Sequence, residues 1–520
     1  MGITKKSLSL TVYFPHKIFL LFLLFLLLFK ISEASQNINI PPFPDIPSVP
    51  DVISNGSTYF VNKDIGRDSY TLEEAKNNLT PWASIQRGVS AIGPGDILII
   101  SGADSPYSEQ VKIDITGSLD KWTTIKGAEG RAPVLDGFIM GNDTNFIHLS
   151  NFKLTPKTVG VYLKRGVNNF YIKDTIIDGK SRARHGLQFG TDIIDEYGVK
   201  HGYLKNVTVH HTVKYGIYIE NGTENIVFDH VTSRDSLTED GFAGRTNPSE
   251  SLSPTKNLFF IDSKAYNNAG DGFDIGAGGE NVFLRCQSYN NRGRQGVGFK
   301  VWGGVKNGDN IWLVNNLVFN NAYPALVIKN ISDANIFMLH NTFVGNETEG
   351  KGVEVMTADS NPAPTPFEMG TPYLYMFNNL IYSKGNRPVF VFYNKKTKII
   401  DSNCNYYVSV RKIPFCQTRD PRNKVVSELS IDSIYDNVIP KGYCGYSSVH
   451  AETDSIVDVN KAINEPRFID LYNNNYNLKA GSPAINKGCN VGVMTDINNR
   501  KREGGKPDIG AFEYKISVNQ

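Results

Sequence analysis

Three short segments near the middle of the chain place acidic and basic residues at matching positions. They are Asp240–Gly244, Asp271–Ile275 and Val297–Val301. When the segments are aligned on their phenylalanines, Asp274 and Lys300 fall in one column, and the two leading aspartates fall in another. Neighbouring side chains of a strand point to opposite faces, so inward phenylalanines would turn Asp274 and Lys300 outward. On adjacent strands, about 4.7–4.9 Å apart, these groups would share one patch of surface.

The aspartates of this patch predict a calcium site. Asp240, Asp271 and Asp274 offer only hard oxygen ligands, and Ca²⁺ takes 6–8 oxygens at about 2.3–2.6 Å. Zinc is a poorer match, since no His or Cys joins them. The alternative is that these are turn residues, because Asp before Gly is a common turn pair.

Lys300 is the candidate general base. Carboxylates alone would raise its pKa, whereas a nearby dication would lower it and make the amine a competent base. A uronic-acid polymer carries a carboxylate beside C5–H, so removal of that proton could drive β-elimination of the C4–O bond. A solvated surface lysine is the alternative. Hydrolysis also stays open, because Asp271 and Asp274 could meet the spacing of about 5–9.5 Å that glycosidases use.

Three arginines in loops near the patch are candidates for binding substrate carboxylates: Arg245, Arg292 and Arg294. Arginine binds carboxylates bidentately, although ordinary surface charge is the alternative for each. Arg184 and His185 are further candidates, and no general acid is identified.

A repeat of short strands must position these residues. Apolar triplets, often preceded by Asn, recur at intervals of about 23–25 residues with longer steps between some of them. They open at residues 145, 169, 202, 225, 257, 281, 310 and 335. The triplets are β-branched or aromatic with no helical periodicity between them, which favours a parallel β-helix over leucine-rich or helical repeats. We therefore predict an all-β solenoid, with the parallel β-helix and its active site in residues 145–400.

Paired asparagines form a second repeating column. Asn267–Asn268, Asn290–Asn291 and Asn320–Asn321 each follow an aromatic residue at the same phase. Asn tolerates left-handed backbone, and stacked Asn side chains bond from one layer to the next. These pairs predict a structural ladder.

The two ends of the chain have other roles. A basic segment, an apolar run and small residues predict a signal peptide in residues 1–35, with an uncleaved membrane anchor as the alternative. Residues 36–57 are predicted to be an extended Pro-rich linker. Residues 58–144 are predicted to hold an N-terminal cap with a short helix near Trp82, followed by the first coils. Residues 401–520 are predicted to form the C-terminal coils and a loop-rich packing segment.

Composition narrows the class of protein. The formal net charge is +2 and no basic block occurs, which argues against a nucleic-acid partner. Of five cysteines, four lie in the last quarter of the chain, where two disulfides are possible with three connectivities. Cys286 is expected to be a buried thiol. Seven glycosylation sequons begin at residues 55, 78, 142, 206, 221, 330 and 346, so we predict a glycoprotein in a host that attaches glycans.

The segments Gly270–Asp274 and Gly296–Gly304 resemble polysaccharide lyase family 9, which includes pectate lyases with a right-handed parallel β-helix. The resemblance implies calcium ligation by Asp271 and Asp274, with Asp240 as a further ligand, and Lys300 as the base. One position departs from the family, which often has a second Asp where this chain has Gly270.

The sequence therefore predicts a secreted, monomeric, calcium-dependent lyase acting on pectate or a related acidic polysaccharide. Two alternatives remain. One is a uronate C5-epimerase or an alginate-type lyase, which shares the proton abstraction. The other is a non-catalytic cell-surface adhesin, because a fold does not decide a function.

Overall fold

Strands rich in β-branched and aromatic residues are the main regular secondary structure of the described chain. The computed structural model describes residues 40–190, 198–244, 255–293, 296–302, 309–329, 333–345, 355–358, 371–383, 389–392, 397–409, 414–419, 424–430, 444, 446, 452–458, 466–502 and 505–515. Residues from Pro42 onward form one compact unit. The predicted signal peptide lies outside the described residues.

The described part of the chain contains one α-helix, one 3₁₀ turn and 36 strands. The helix, α1, spans Ile85–Ala91, and the 3₁₀ turn spans Glu74–Lys76. The strands are β1 Thr58–Val61, β2 Ile97–Ile100, β3 Tyr107–Ile113, β4 Thr123–Gly127, β5 Val134–Met140, β6 Asn145–Leu154, β7 Val159–Leu163, β8 Asn168–Asp178, β9 His185–Phe189, β10 Lys200–His210, β11 Ile217–Ile219, β12 Glu224–Asp229, β13 Thr232–Arg234, β14 Phe242–Gly244, β15 Lys256–Ile261, β16 Lys264–Tyr266, β17 Phe273–Gly276, β18 Glu280–Leu284, β19 Gln287–Tyr289, β20 Phe299–Trp302, β21 Asp309–Val314, β22 Leu317–Phe319, β23 Leu326–Lys329, β24 Ala334–Leu339, β25 Thr342–Val344, β26 Val355–Ala358, β27 Pro372–Phe377, β28 Leu380–Ser383, β29 Phe390–Phe392, β30 Lys398–Asn403, β31 Tyr406–Ser409, β32 Pro414–Arg419, β33 Val425–Ser430, β34 Ile456–Asp458, β35 Phe468–Asp470 and β36 Asn475–Leu478.

Successive coils pair in parallel and build three sheets. Sheet A runs β3, β5, β7, β9, β11, β14, β17, β20, β23, β26, β29, β32. Sheet B runs β1, β2, β4, β6, β8, β10, β12, β15, β18, β21, β24, β27, β30. Sheet C continues from β8 and β10 into β13, β16, β19, β22, β25, β28, β31 and β34. The predicted triplets open strands of sheet B, so the predicted parallel β-helix is confirmed.

The core of the solenoid is a stack of aromatic rings. Phe242, Phe273 and Phe299 of sheet A are fully buried, and their ring centroids lie 4.6 and 4.9 Å apart. Phe260 of sheet B meets Phe273 edge to face at 5.6 Å. Stacked and edge-on rings both gain contact energy beyond their buried area. The predicted inward phenylalanine column is confirmed.

Buried asparagines hold the corners of successive coils together. Asn268 Nδ2 donates to Asn291 Oδ1 at 3.0 Å, and Asn291 Nδ2 donates to Asn321 Oδ1 at 2.9 Å. A second ladder, not predicted from the sequence, links residues 316, 341, 379 and 405 in the same way. Each amide satisfies buried polar groups that would otherwise cost stability.

The predicted N-terminal helix is present but begins at Ile85, after the Ser84 N-cap, whose side chain accepts a hydrogen bond from the Arg87 N–H at 3.3 Å. Trp82 precedes the helix and is fully buried against Tyr59, with ring centroids 5.6 Å apart. A side chain at Gly88 would collide with Val61 at 2.9 Å, so the helix packs closely on the first coil.

Residues 43–54, here called the strap, lie on the outer face of sheet B. Phe43 meets Trp312 edge to face at 5.4 Å, and Ile53 O accepts a hydrogen bond from the Trp122 N–H at 2.8 Å. Residues 44, 46, 50, 52 and 54 are half-buried, and the odd-numbered residues of the strap are exposed, so alternate positions are covered except at residue 48, which is also exposed. That alternation is the pattern of an extended chain with one side against a surface. The strap takes eleven residue-to-residue steps of about 3.1–3.3 Å each. Their total length matches the seven coil spacings of about 4.8 Å that separate Trp312 from Trp122 along sheet B.

The C-terminal segment packs on the outside of sheet C. Residues 468, 476, 478, 484, 497, 509, 511 and 512 form one apolar cluster with β22, β25, β28 and β31. The segment is bound by four corner residues with left-handed backbone, one on each of four successive coils: Asn315, His340, Asn378 and Cys404. Arg502 Nη2 donates to Asn315 Oδ1 at 2.8 Å, and Cys404 is disulfide-bonded to Cys489. A second disulfide joins Cys416 and Cys444.

Cys286 is a buried free thiol, as predicted, and burial raises its pKa. None of the helices in the described ranges is long and apolar enough to cross a membrane.

The strap provides a direct test of its register. Val52 is half-buried and Val49 is exposed. We expect Val52→Asp to lower the free energy of unfolding by about 1–2 kcal/mol, because it removes an apolar side chain from a half-buried position and places a charge there. The matched Val49→Asp should change it by no more than about 0.5 kcal/mol. Urea denaturation measures both, and equal effects of the two variants would contradict the alternating contact.

Candidate functional site

The predicted column of Asp274 and Lys300 exists on sheet A. In the parallel register, Asp274 pairs with Ala243 on one side and with Lys300 on the other. A Cβ at Gly272, just before β17, would meet Ser288 Oγ at 2.1 Å. The glycine in this motif is therefore needed for close packing of the coil corner.

Asp240 and Asp271 differ from the prediction of an open, outward patch. Both lie just before their strands and are buried, with exposed fractions of 8% and 1%. The Asp271 N–H donates to Asp240 Oδ1 at 2.6 Å, and the Val297 N–H donates to Asp271 Oδ1 at 2.9 Å. Main-chain donors on the next coil thus fix both carboxylates in position.

The Lys300 ammonium contacts two of the three carboxylates. Its Nζ lies 3.0 Å from Asp271 Oδ2 and 2.8 Å from Asp274 Oδ2, and its side chain is 12% exposed. Burial favours a lower pKa for Lys300, but the charges of Asp274 and Asp271 outweigh it and hold the pKa above its usual value. With both carboxylates charged, Lys300 keeps its proton.

The carboxylates repel one another. Burial, followed by the charges of Asp271 and Asp274, raises the pKa of Asp240 well above its usual range. Burial also raises the pKa of Asp271 to about 6, where the Lys300 ammonium opposes the shift and Asp274 adds to it. One lysine does not balance three acids, so the site has an excess of buried negative charge.

The three aspartates fit a calcium ion. One oxygen from each of Asp240, Asp271 and Asp274 lies within 4.8 Å of the others. Oxygens bound to one calcium at about 2.3–2.6 Å can lie up to twice that distance apart. The donors are all oxygen, and the excess negative charge is what a dication would neutralise.

The presence of glycine at position 270 has a structural explanation. A Cβ there would lie 2.2 Å from Asp240 Oδ1 and 2.8 Å from the main chain of Glu239. The Asp240 carboxylate occupies the space that a side chain at position 270 would need. Asp240 and an aspartate at 270 therefore exclude each other in this arrangement.

The predicted arginines are not brought together with the carboxylates by the described contacts. Arg292 is exposed in the turn after β19, and Arg245 and Arg294 lie outside the described residues. His185 is buried in a stack with Tyr215 and Tyr218, with ring centroids 5.5 and 5.0 Å away. Tyr218 precedes Ala243 in the outward column, so this aromatic stack adjoins the acidic cluster. Aligning Ile217–Ile219 with the three motif segments would have placed Tyr218 in the same outward column and so predicted this neighbour.

Neutralising one acid should stabilise the protein without metal. We expect Asp240→Asn to raise the free energy of unfolding by about 1–3 kcal/mol at pH 8 in chelator, because the amide oxygen can still accept the Asp271 N–H. A carboxyl group whose pKa is raised in the folded state stabilises the protein at low pH. That stability is lost as the pH rises through the pKa of the folded state, which is about 6 for Asp271. The gain should therefore shrink toward pH 4.

Asp229→Asn is the matched control, measured by the same pH series of thermal unfolding. The Asp229 carboxylate pairs with Lys205 at 3.2 Å and accepts from Tyr203 OH at 3.0 Å. Its neutralisation should lower stability at pH 8, and a gain in both variants would contradict the repulsion described for the cluster.

Comparison with known proteins identifies the family. Residues 68–361 match the model of the Pel9A-like, right-handed β-helix region. Among solved structures, the chain is similar to pectate lyase Pel9A, with 14% identity and a TM-score of 0.47 over 89% of this chain and 98% of that one. It is also similar to XylC in complex with xylose, with 11% identity, a TM-score of 0.47 and the same coverage. The A-module of the Azotobacter vinelandii mannuronan C-5 epimerase AlgE4 has 15% identity and a TM-score of 0.40 over 77% of this chain and 95% of that one. No curated protein matches the chain. Since the family model spans more than half of its residues, this chain belongs to the Pel9A-like family of right-handed parallel β-helix proteins.

Proposed function

We propose that the chain is a secreted, calcium-dependent polysaccharide lyase that cleaves pectate by β-elimination, with Lys300 as general base. The observation that carries the proposal is the contact of Lys300 with Asp271 and Asp274 inside a cluster of three carboxylates. Membership of the Pel9A-like family supports it.

The reaction needs an uncharged amine at Lys300. Neutral Nζ takes the C5 proton of a uronate, the C–H electrons form the C4–C5 double bond, and the C4–O bond breaks. The leaving oxygen then takes a proton from water or from an arginine. A calcium ion held by Asp240, Asp271 and Asp274 would supply positive charge for the substrate carboxylate next to C5.

The same carboxylates control the base. Their charge holds the proton on Lys300, so neutralising them removes the attraction that raises its pKa. The two ion pairs, both with carboxylates of the preceding coil, also fix the position of Nζ on the outer face of sheet A. Binding of the cation and deprotonation of the base are therefore expected to be coupled.

Hydrolysis fits this geometry less well. A glycosidase places its two carboxyl groups on either side of the scissile bond with the sugar between them. Here the Lys300 ammonium lies between Asp271 and Asp274, within 3.0 Å of both. The pair is better suited to holding a cation than to flanking a sugar.

Secretion is part of the proposal. Two disulfides, Cys404–Cys489 and Cys416–Cys444, are the bonds of an oxidising compartment. An acidic polysaccharide is the proposed partner, and we propose that the protein acts as a monomer.

The activity has a direct assay. We expect the protein to raise the ultraviolet absorbance of polygalacturonate as unsaturated ends form, and chelator to abolish the rise. Lys300→Ala should reduce the rate by at least about 100-fold, because a general base contributes about 10²–10⁴. Lys264→Ala, an exposed lysine on β16, is the control and should retain activity.

Other outcomes of this assay identify the alternatives. Turnover of a uronate without new absorbance would indicate an epimerase, and absorbance from alginate alone would indicate an alginate-type lyase. Binding without turnover would indicate an adhesin. Full activity in Lys300→Ala, with circular dichroism unchanged, would contradict the assignment of the base.

The pH dependence follows from the proton on Lys300, which the amine must lose before it can act as a base. Since only the neutral amine accepts a proton, kcat/KM should increase with pH, by about tenfold per unit well below the pKa of the lysine. The initial rate at saturating calcium measures this, with Lys300→Ala subtracted at each pH for uncatalysed elimination. A plateau reached below pH 7 would argue against a lysine base.

A further inference from the structure

Three possible metal ligands meet at one corner of the solenoid, away from the acidic cluster. Asp178 ends β8 and His210 ends β10, and the two are partners in the parallel register. His211 follows with a left-handed φ of 53°, which turns its ring to the same side as that of His210. The two ring centroids lie 4.7 Å apart.

The donor atoms of these residues converge. His210 Nδ1 and His211 Nδ1 lie 2.7 Å apart, and each lies 3.5 Å from Asp178 Oδ1. A triangle with these sides has a circumscribed circle of about 1.9 Å radius. A point about 0.8 Å above its plane is therefore about 2.05 Å from all three atoms, which is the bond length of Zn²⁺ to imidazole and carboxylate. The spacing of the three donor atoms therefore suits an ion of this size.

The surroundings leave this point accessible. The His211 side chain is 46% exposed, so water can supply a fourth ligand. Two cations lie nearby, and both are already paired. Lys180 Nζ contacts the other oxygen of Asp178, Oδ2, at 2.7 Å, and Arg234 is ion-paired with Asp235.

We propose that Asp178, His210 and His211 bind a divalent transition metal of the zinc class. Two imidazoles and one carboxylate suit Zn²⁺ and its neighbours, whereas calcium selects oxygen ligands such as those of the acidic cluster. The ion would join two adjacent coils at the corner where β10 leads to β11. This site is independent of the proposed lyase activity.

Zinc binding to the whole protein tests the proposal. The protein is stripped with chelator and titrated with ZnCl₂ by calorimetry in excess calcium, and Co²⁺ absorbance reports nitrogen ligation. We expect one zinc per chain and a higher Tm with zinc, because a ligand that binds only the folded state stabilises it. His211→Asn and Asp178→Asn should each weaken binding by at least about 10-fold.

The chain offers a matched control for His211→Asn. The equivalent corners of later coils carry Asn267, Asn290 and Asn320 in the same left-handed conformation, so the substitution keeps the turn. His201 is another left-handed histidine, near the start of β10 and outside the cluster. His201→Asn should bind zinc as the unmodified protein does. Absence of zinc binding, or equal binding by His211→Asn, would overturn the proposal, as would equal loss in both variants.

Discussion

The parallel register between successive coils is the constraint on which the rest of the structure depends. It brings Asp274 and Lys300, 26 residues apart in the chain, to 2.8 Å. The same register aligns the core phenylalanines and brings Asp178 beside the paired histidines. A one-residue slip in a strand would send its outward side chains into the core. The asparagine ladders and close-packed glycines at the corners oppose such a slip.

The acidic cluster shows that the same register also holds like charges close together. Burying Asp240 and Asp271 beside Asp274 opposes folding, because like charges are held together away from water. Main-chain N–H groups and one ammonium offset part of that cost. The surrounding structure must compensate for this local instability. Here the aromatic core and the continuous ladders provide that compensation.

Much of this architecture could be predicted from the sequence because a solenoid repeats. The triplet spacing located the strands of sheet B, and alternation within the motif segments paired Asp274 with Lys300. The burial of Asp240 and Asp271 could not be predicted this way, since both lie at corners where strand alternation does not apply. The packing reason for Gly270 depends on the Asp240 side chain of the previous coil, which no local pattern shows.

The N-terminal segment illustrates a second limit. Its proline content favours an extended chain, but composition carries no information about the surface that such a chain covers. The partner residues Trp122 and Trp312 are far away in sequence and on different coils. Only the three-dimensional stacking of sheet B turns them into a continuous outer face.

The strap also orders the events of folding. Its binding surface is assembled from coils that extend from Trp122 to Trp312, so a nascent chain has no place for residues 43–54 until well over half of it has been synthesised. The strap, which is synthesised first in this unit, is therefore among the last segments to pack in its final position. Until then, the outer aromatic side chains of sheet B remain open to water and to other chains.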